Sequence, residues 1–477
     1  MRHTIKLIAI LLTVFSLPNT AFAQTQQRND SVFEILKGYM NSNNADSVYA
    51  MLDANFKAKY TKDAFISVLV KNIFPLGRIK ESSFVRFNSG ATKYKVVHEK
   101  ATLQYILSTD DKGKLQALVF QPYKDPAATP KKNYTVPTSN PLESILDNRV
   151  DSIVRPYIQQ MSTAGLSIGL LKNGKTTYYG YGETERGKGI LPRGNTVFEI
   201  GSITKTFTAT LLALYVNRGK VKLTDPVTKY LPDSVASNKE LQGITLQMLI
   251  NHTSGLTSVP DNLFAEGTDK NNPYKDYNKA NMFQYLKNCK PESAPGEKYS
   301  YSNLAAGLLG IILEQVSGMT YDEMVKKEVC TPLHMENTGQ YLSKSQEANF
   351  TRVYDEKGAQ VKAFDFGAVA AAGCIRSCSD DLLQYARANM SNENVTLFKA
   401  MELTHKITYD KGLSVGLGWH YDSCKFGSFI WHNGATYGSH SYLAFDKERK
   451  VAVVVLSNCA ISVDDIGKEL LMVLENQ

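Results

Sequence analysis

The chain has 477 residues, 43% of them hydrophobic and 21% charged, and a formal net charge of +8. That length predicts two or three domains, each able to bury a core of its own. The basic residues are scattered, with no lysine and arginine stripe and no interleaved aromatic platform, which excludes nucleic acid as a partner.

The first residues, MRHTIKLIAILLTVFSLPNTAFAQ, set basic Arg2 and Lys6 before an apolar run from Leu7 to Leu17, with small Ala21 and Ala23 ahead of Gln24. This is the pattern of a secretory signal peptide over residues 1–23, cleaved after Ala23. The run falls short of the ~20 residues a bilayer crossing needs. No other segment is apolar and long enough to span, so the mature protein is expected to be periplasmic or secreted, with no integral membrane segment.

Residues 24–123 read as a small α+β domain. Phe33, Leu36 and Met40, then Phe65, Val68 and Leu69, recur at helical spacing, and KYKVV, TLQYIL and LQALVF from Lys93, Thr102 and Leu115 alternate as strands do. Residues 124–141, KDPAATPKKNYTVPTSNP, are rich in proline, lysine and small polar residues and read as a linker.

Residues 142–477 carry the chemistry. They open with a predicted helix, LESILDNRVDSIVRPYIQQM, and two strands around the Asn173-Gly174 turn. They close with three strands, SFIWHNGA, SYLAFD and KVAVVVLSN, and a helix from about Val463 to Leu474. Strands from both ends with helical material between them predict an α+β fold, an antiparallel sheet flanked by terminal helices with a mostly helical insertion. Six cysteines (Cys289, Cys330, Cys374, Cys378, Cys424 and Cys459) permit disulfides in an exported protein, with 15 full pairings open. They form no C-x-x-C pair and no second cluster, so no metal is expected.

Three short stretches could act on a carbonyl. In FEIGSITKTFTATLLALYV, Ser202 stands three residues before Lys205, which puts hydroxyl and amine on one helical face. Gly201 allows a tight turn there, and the Ser202 N–H at a helix start is free to bind an oxyanion. The amine is a base only if burial or positive charge lowers its pKa. An N-cap serine beside a solvated lysine would give the same letters. In YSYSNLAAGLLGIILEQVSG, Tyr301 and Asn303 lie just before an apolar helix, where a phenol could relay a proton and an amide could orient the lysine; core and capping roles are the alternative. His432-Asn433-Gly434 is the only H-x-G in the chain, and the next N–H, at Ala435, could be a second oxyanion donor. A turn histidine satisfied by backbone is the plainer reading of that stretch.

Taken together, GSITK, YSN and HNG occur in this order, and LINHTSGL, APGEKYSYSN, AAGCIRSCSDDLLQYA and GLGW accompany them. The set resembles the serine β-lactamase and penicillin-binding-protein superfamily, in its class C-like branch with esterases, D-aminopeptidases and D,D-peptidases, over nearly all of residues 142–477. The resemblance implies the β-lactamase/transpeptidase-like fold and a secreted serine hydrolase. It makes Ser202 the acylated nucleophile, Lys205 its activating partner and Tyr301 a sharer of acid/base work. Asn303, His432 and Gly434 would line the pocket, and the N–H groups of Ser202 and Ala435 would form the oxyanion hole. No cofactor and no metal are implied, and the substrate is a small molecule or peptide, cell-wall fragments included. K-T-G is absent: His432 stands where β-lactamases usually carry lysine, which weights esters and D-peptides over β-lactams. Cys374 stands where relatives often have glycine, either narrowing the pocket or joining a disulfide. The alternative from another class is a non-catalytic envelope-binding protein on the same fold.

Overall fold

A computed structural model of the chain describes residues 20–88, 91–110, 112–123, 136–269, 271–424 and 427–475. The chain divides into two compact units, Met1–Pro130 and Lys131–Gln477. Residues 1–19 of the predicted signal peptide and 124–135 of the predicted linker lie outside the described residues.

The first unit begins with the helix Thr20–Asn41, whose backbone runs through the predicted cleavage position. Phe33, Leu36 and Met40 on one face of it are buried, together with Val48, Phe65 and Leu69 from the short helices that follow. Those helices, Ala45–Ala50, Ala54–Lys59 and Lys62–Val68, are each started by a side-chain cap, from Asn44, Asp53 and Thr61. The strands β1 (Ile79–Asn88), β2 (Ala91–His98), β3 (Thr102–Thr109) and β4 (Leu115–Pro122) form an antiparallel sheet in that order. Tyr94 and Val96, Leu103, Tyr105 and Leu107, and Leu115 alternate into the same core. The sequence reading passed over β1 because IKESSFVRFN has no clean alternation, as befits a strand paired on one side only.

In the second unit the strands are β5 (Gly165–Lys172), β6 (Lys175–Gly182), β7 (Phe198–Glu199), β8 (Val353–Tyr354), β9 (Gln360–Val361), β10 (Arg376–Ser377), β11 (Tyr409–Asp410), β12 (Ser414–Val415), β13 (His420–Cys424), β14 (Gly427–Ala435), β15 (His440–Asp446) and β16 (Val451–Ser457). Eight of them form one antiparallel sheet in the order β11-β12-β13-β14-β15-β16-β5-β6. The sheet thus closes the two ends of the domain sequence onto each other, as the sequence predicts. Its central strands β15, β16 and β5 are buried on both faces. Val451, Val453 and Val455 of β16 pack with the helices Ile145–Ile158 and Asp464–Glu475, and the alternate residues Ala452, Val454 and Leu456 join the larger core with Leu382, Leu383 and Ala386 of the helix Ser379–Met390.

The linker reading of residues 124–141 needs correction at its end. Ser139 N–H donates to the Gly180 carbonyl at 2.9 Å and Gly182 N–H to the Pro137 carbonyl at 2.8 Å, so this stretch runs beside the edge strand β6. Val136 beside it is buried. Proline is tolerated there because an edge position asks only for its carbonyl.

The two faces of the sheet leave little spare volume. A Cβ added to Gly467 would lie 2.0 Å from Cδ1 of the buried Tyr442 ring. Gly467→Ala is therefore expected to lower stability by about 1–3 kcal/mol through overpacking. Gly38, in the first helix, has nothing within 4 Å of the same position, and Gly38→Ala is expected to stabilise by about 0.5–1 kcal/mol. Thermal unfolding of both variants checks the pair of opposite signs.

Candidate active site

The turn Gly201–Ile203 follows β7 directly and leads into the helix Thr204–Asn217. Gly201 takes φ +49, and a Cβ on it would fall 2.7 Å from the Ala435 nitrogen, so no other residue fits the turn. The first bonds of the turn run from Ile203 N–H to the Ile200 carbonyl and from Thr204 N–H to the Gly201 carbonyl. They leave the Ser202 N–H outside the turn's own pairing.

Lys205, one residue into the helix, is wholly buried. Burial holds its amine well below the usual 10.5, and no carboxylate opposes that shift. Its Nζ lies 3.0 Å from Ser202 Oγ, 2.8 Å from Asn303 Oδ1 and 2.7 Å from the Ala372 carbonyl. A neutral amine has two hydrogens and one lone pair. Asn303 Oδ1 and the Ala372 carbonyl accept the two hydrogens, which leaves the lone pair for the Ser202 hydroxyl, the arrangement a general base requires.

Three walls hold this geometry. The strap of residues 371–375 lies along the helix Thr204–Asn217, with Thr208 Oγ1 donating to the Ala371 carbonyl at 2.7 Å and Ile375 N–H donating to Thr204 Oγ1 at 3.1 Å. The helix Asn303–Ser317, capped by Ser302, makes Asn303 its first residue and sets Tyr301 just outside it. The Tyr301 phenol, raised by burial and so protonated, stands beside Ser202, and Lys205 Nζ lies 4.6 Å from its ring centroid.

The third wall is β14. A Cβ on Gly434 would meet the Ile200 carbonyl at 2.0 Å and the Ser202 nitrogen at 2.8 Å, which shows how closely this strand packs on the turn. His432, two residues earlier, projects from the same face of β14 as Gly434. Ala435 opposes His440 in the ladder, while its neighbour Thr436 donates its N–H to the Ser439 carbonyl. Successive N–H groups alternate sides, so that of Ala435 points away from β15. On that side β13 pairs with β14 only as far as Trp431, so the ladder leaves this edge open. The seven residues singled out in the sequence thus lie around one turn.

The structure also adds residues that the sequence did not single out. His252, inside LINHTSGL, takes φ +61, lies 4.3 Å from the Tyr301 ring and accepts the Ser302 N–H on Nδ1 at 3.2 Å. Tyr299 pairs with His420 Nε2 at 2.9 Å, and the His420 ring is 5.0 Å from that of His432. His432 Nδ1 lies 2.6 Å from the Asn433 carbonyl, which can only accept, so Nδ1 carries the proton and Nε2 offers a lone pair with no protein partner. Burial pushes all three histidines below their usual range, and Lys205 adds to the effect.

Cys289, Cys330, Cys374, Cys378 and Cys459 are free, and Cys374 is a buried thiol. Cys378 caps the helix Ser379–Met390 and Cys424 donates to Glu475 Oε2 at 3.0 Å, so neither is placed as a nucleophile. Among the described residues no group of histidine, cysteine and carboxylate side chains could hold a metal ion.

A family model described as Beta-lactamase matches residues 150–476. A β-lactamase of Pseudomonas fluorescens is 33% identical over 273 residues, 57% of this chain and 73% of the relative. A β-lactamase of Escherichia coli (strain K12) is 27% identical over 350 residues, 66% of this chain and 89% of the relative. Among solved structures, a class C β-lactamase superposes with a TM-score of 0.62 at 26% identity, covering 69% of this chain and 98% of that one. A β-lactamase/D-alanine carboxypeptidase from Pseudomonas syringae gives 0.61 at 25% identity over 70% and 99%.

Two outcomes follow from this geometry. Gly434→Ala displaces the Ser202 backbone, and turnover is expected to fall by at least ~100-fold with the protein folded, as when an oxyanion donor is lost. The second concerns pH. Unfolded Lys205 is protonated below about 10.5 and folded Lys205 is neutral until a much lower pH, so the unfolded state binds the extra proton and wild-type stability rises with pH in that window. The stability of wild type relative to Lys205→Met should therefore increase from about pH 7 to pH 10; a flat or falling difference would show a charged lysine in the native state.

Proposed function

We propose, from the premise that this chain belongs to the Beta-lactamase family, that its serine hydrolase chemistry runs through an acyl-enzyme on Ser202. The observation that carries the reading is the buried Lys205 amine, held without a counter-ion within 3.0 Å of the Ser202 hydroxyl.

Neutral Lys205 takes the hydroxyl proton as Ser202 Oγ bonds to the carbonyl carbon, and the carbonyl oxygen, now negative, sits between the N–H groups of Ser202 and Ala435. The Tyr301 phenol gives its proton to the leaving oxygen or nitrogen as that bond breaks, and the proton on Lys205 restores the phenol. Water then attacks the ester on Ser202 with the same pair serving in reverse, and the acid departs. Asn303 holds Lys205 in register throughout, and His432 and Gly434 line the pocket.

On the His432 side the pocket meets the substrate with a neutral ring. A carboxylate there finds a lone pair where a lysine would offer a cation, so esters and amide bonds of D-peptides, cell-wall fragments among them, are favoured over β-lactams. The complete polar set around Ser202 argues against a non-catalytic binding protein. We place the enzyme in the periplasm or outside the cell on the pattern of residues 1–23. Among the described residues no single helix is long and apolar enough to cross a membrane.

Intact-mass measurement after incubation with a D-Ala-D-Ala thioester, benzylpenicillin and a neutral aryl ester tests this reading. A covalent mass gain or ester turnover that disappears in Ser202→Ala is expected, with the ester and thioester reacting faster than the penicillin. Activity that survives in Ser202→Ala, or a folded wild type inert toward all three, would overturn it.

A further inference from the structure

Beside the nucleophile turn lies a cavity of about 190 Å³ whose wall includes Lys275, Tyr341, Phe364, Phe366, Cys374 and Arg376. That volume suits a substituent of a substrate rather than a whole ligand, since sites for complete small molecules run to ~300 Å³ and more. Ser202 is not on its lining, yet the cavity is fixed to the catalytic turn through several bonds. Cys374 comes two residues after Ala372, whose carbonyl holds Lys205. Arg376 pairs across from Glu199, and the three residues from Glu199 to Ser202 reach at most ~10 Å. Glu199 accepts the Phe364 N–H at 2.6 Å and, with its other oxygen, the Thr436 hydroxyl at 2.6 Å, tying the cavity wall to the end of β14.

An aromatic shelf leads from the turn to this cavity. Tyr437, two residues past Ala435, stacks on Phe364 at 5.3 Å, and Phe364 meets Phe366 at 4.9 Å. Tyr274, a buried ring, faces Phe366 at 6.4 Å. Tyr301 and the histidines around it are not on the cavity wall. With Tyr301 as the proton donor to the leaving group, the cavity falls to the acyl part.

The charges at its end set the chemistry. Lys275 is exposed and Arg376 half-buried, and among the described residues neither has a carboxylate within ion-pair distance. Arg376 spends one N–H on the Gln340 carbonyl at 2.6 Å, which leaves the rest of its fork of donors. The acid on this wall, Asp365, is engaged by the Asn272 amide at 3.1 Å. We propose that this cavity is an acyl-group subsite that receives a carboxylate carried on a short side chain, held by Arg376 and Lys275 over the aromatic shelf. The proposal rests on the Ser202 acyl-enzyme reading. It places the anion on the acyl side, away from His432.

Hydrolysis of mono-4-nitrophenyl glutarate against 4-nitrophenyl butyrate tests it. The two share a leaving group, and only the first ends in a carboxylate. Wild type is expected to favour the glutarate by about tenfold in kcat/KM, as hydrogen bonds to a charged group allow, and added salt should erode the preference. Arg376→Gln and the surface variant Lys275→Gln should each reduce the glutarate-to-butyrate ratio of kcat/KM. As a control, 3-acetoxybenzoate, with its carboxylate on the leaving group, should show no such gain over phenyl acetate. Ser202-dependent butyrate turnover with no glutarate preference, or a preference that neither variant alters, would overturn the subsite and leave the acyl-enzyme reading standing. Inertness toward both esters would remove the reading beneath it.

Discussion

The arrangement depends on one constraint: the amine of Lys205 is buried with no carboxylate to pay for it. An unpaired ammonium in a dry interior costs several kcal/mol, and the group escapes that cost by giving up its proton. Neutrality therefore follows from packing, and each wall contributes to it. The nucleophile helix is buried along nearly its whole length, the strap 371–375 closes one side, and the helix from Asn303 closes another. The strap and the Asn303 helix also each supply an acceptor without charge. An aspartate at position 303 would restore the ion pair and hold the amine protonated, whereas the asparagine amide orients it and leaves it a base. The positive end of the helix Thr204–Asn217 acts in the same direction, disfavouring the ammonium and favouring an oxyanion at the Ser202 N–H.

That constraint extends to the surroundings. His252, His420 and His432 are buried beside Lys205, and each is held neutral by desolvation. The Tyr301 phenol keeps its proton for the same reason. At rest the pocket around Ser202 thus holds no formed charge, and in the proposed reaction the first anion to appear is the oxyanion. Fixed N–H dipoles stabilise such a charge strongly because no water needs to reorganise around it.

How legible this was in the sequence varied with how local each feature is. Ser202 and Lys205 could be read because three residues of helix fix their relation. His432, Gly434 and Ala435 could be read because strand alternation fixes theirs, and the sheet built from both chain ends followed from their patterns. His252 and His420 lie 47 residues before and 121 residues after Tyr299, and only tertiary packing brings the two histidines to Tyr299, Tyr301 and His432. The Ala372 carbonyl was unreadable in principle, since any residue supplies one. Strand β1 and the edge run after Val136 were missed because backbone pairing, rather than an apolar pattern, determines them.

The strand β14 imposes a last consequence. Its Gly434 must lie against the Ser202 nitrogen, and alternation then turns residue 432 toward the same site, whatever its identity. That residue therefore sets the polarity of one wall. Here the ring is locked: Nδ1–H is spent on the Asn433 carbonyl, and the Asn433 amide is itself held by Asp464 at 2.9 Å. What remains is a lone pair, which repels a carboxylate and attracts an N–H or O–H. A cation at this position would have served a carboxylate, and it would also have helped to keep Lys205 neutral. Without it burial and the positive end of the helix must do so, and the Lys205 side chain has no exposed surface. The cations Lys275 and Arg376 stand instead on the wall of the cavity that Cys374 also lines. In the proposed acyl-enzyme and subsite, the substrate meets an acceptor on the His432 side and positive charge at that cavity.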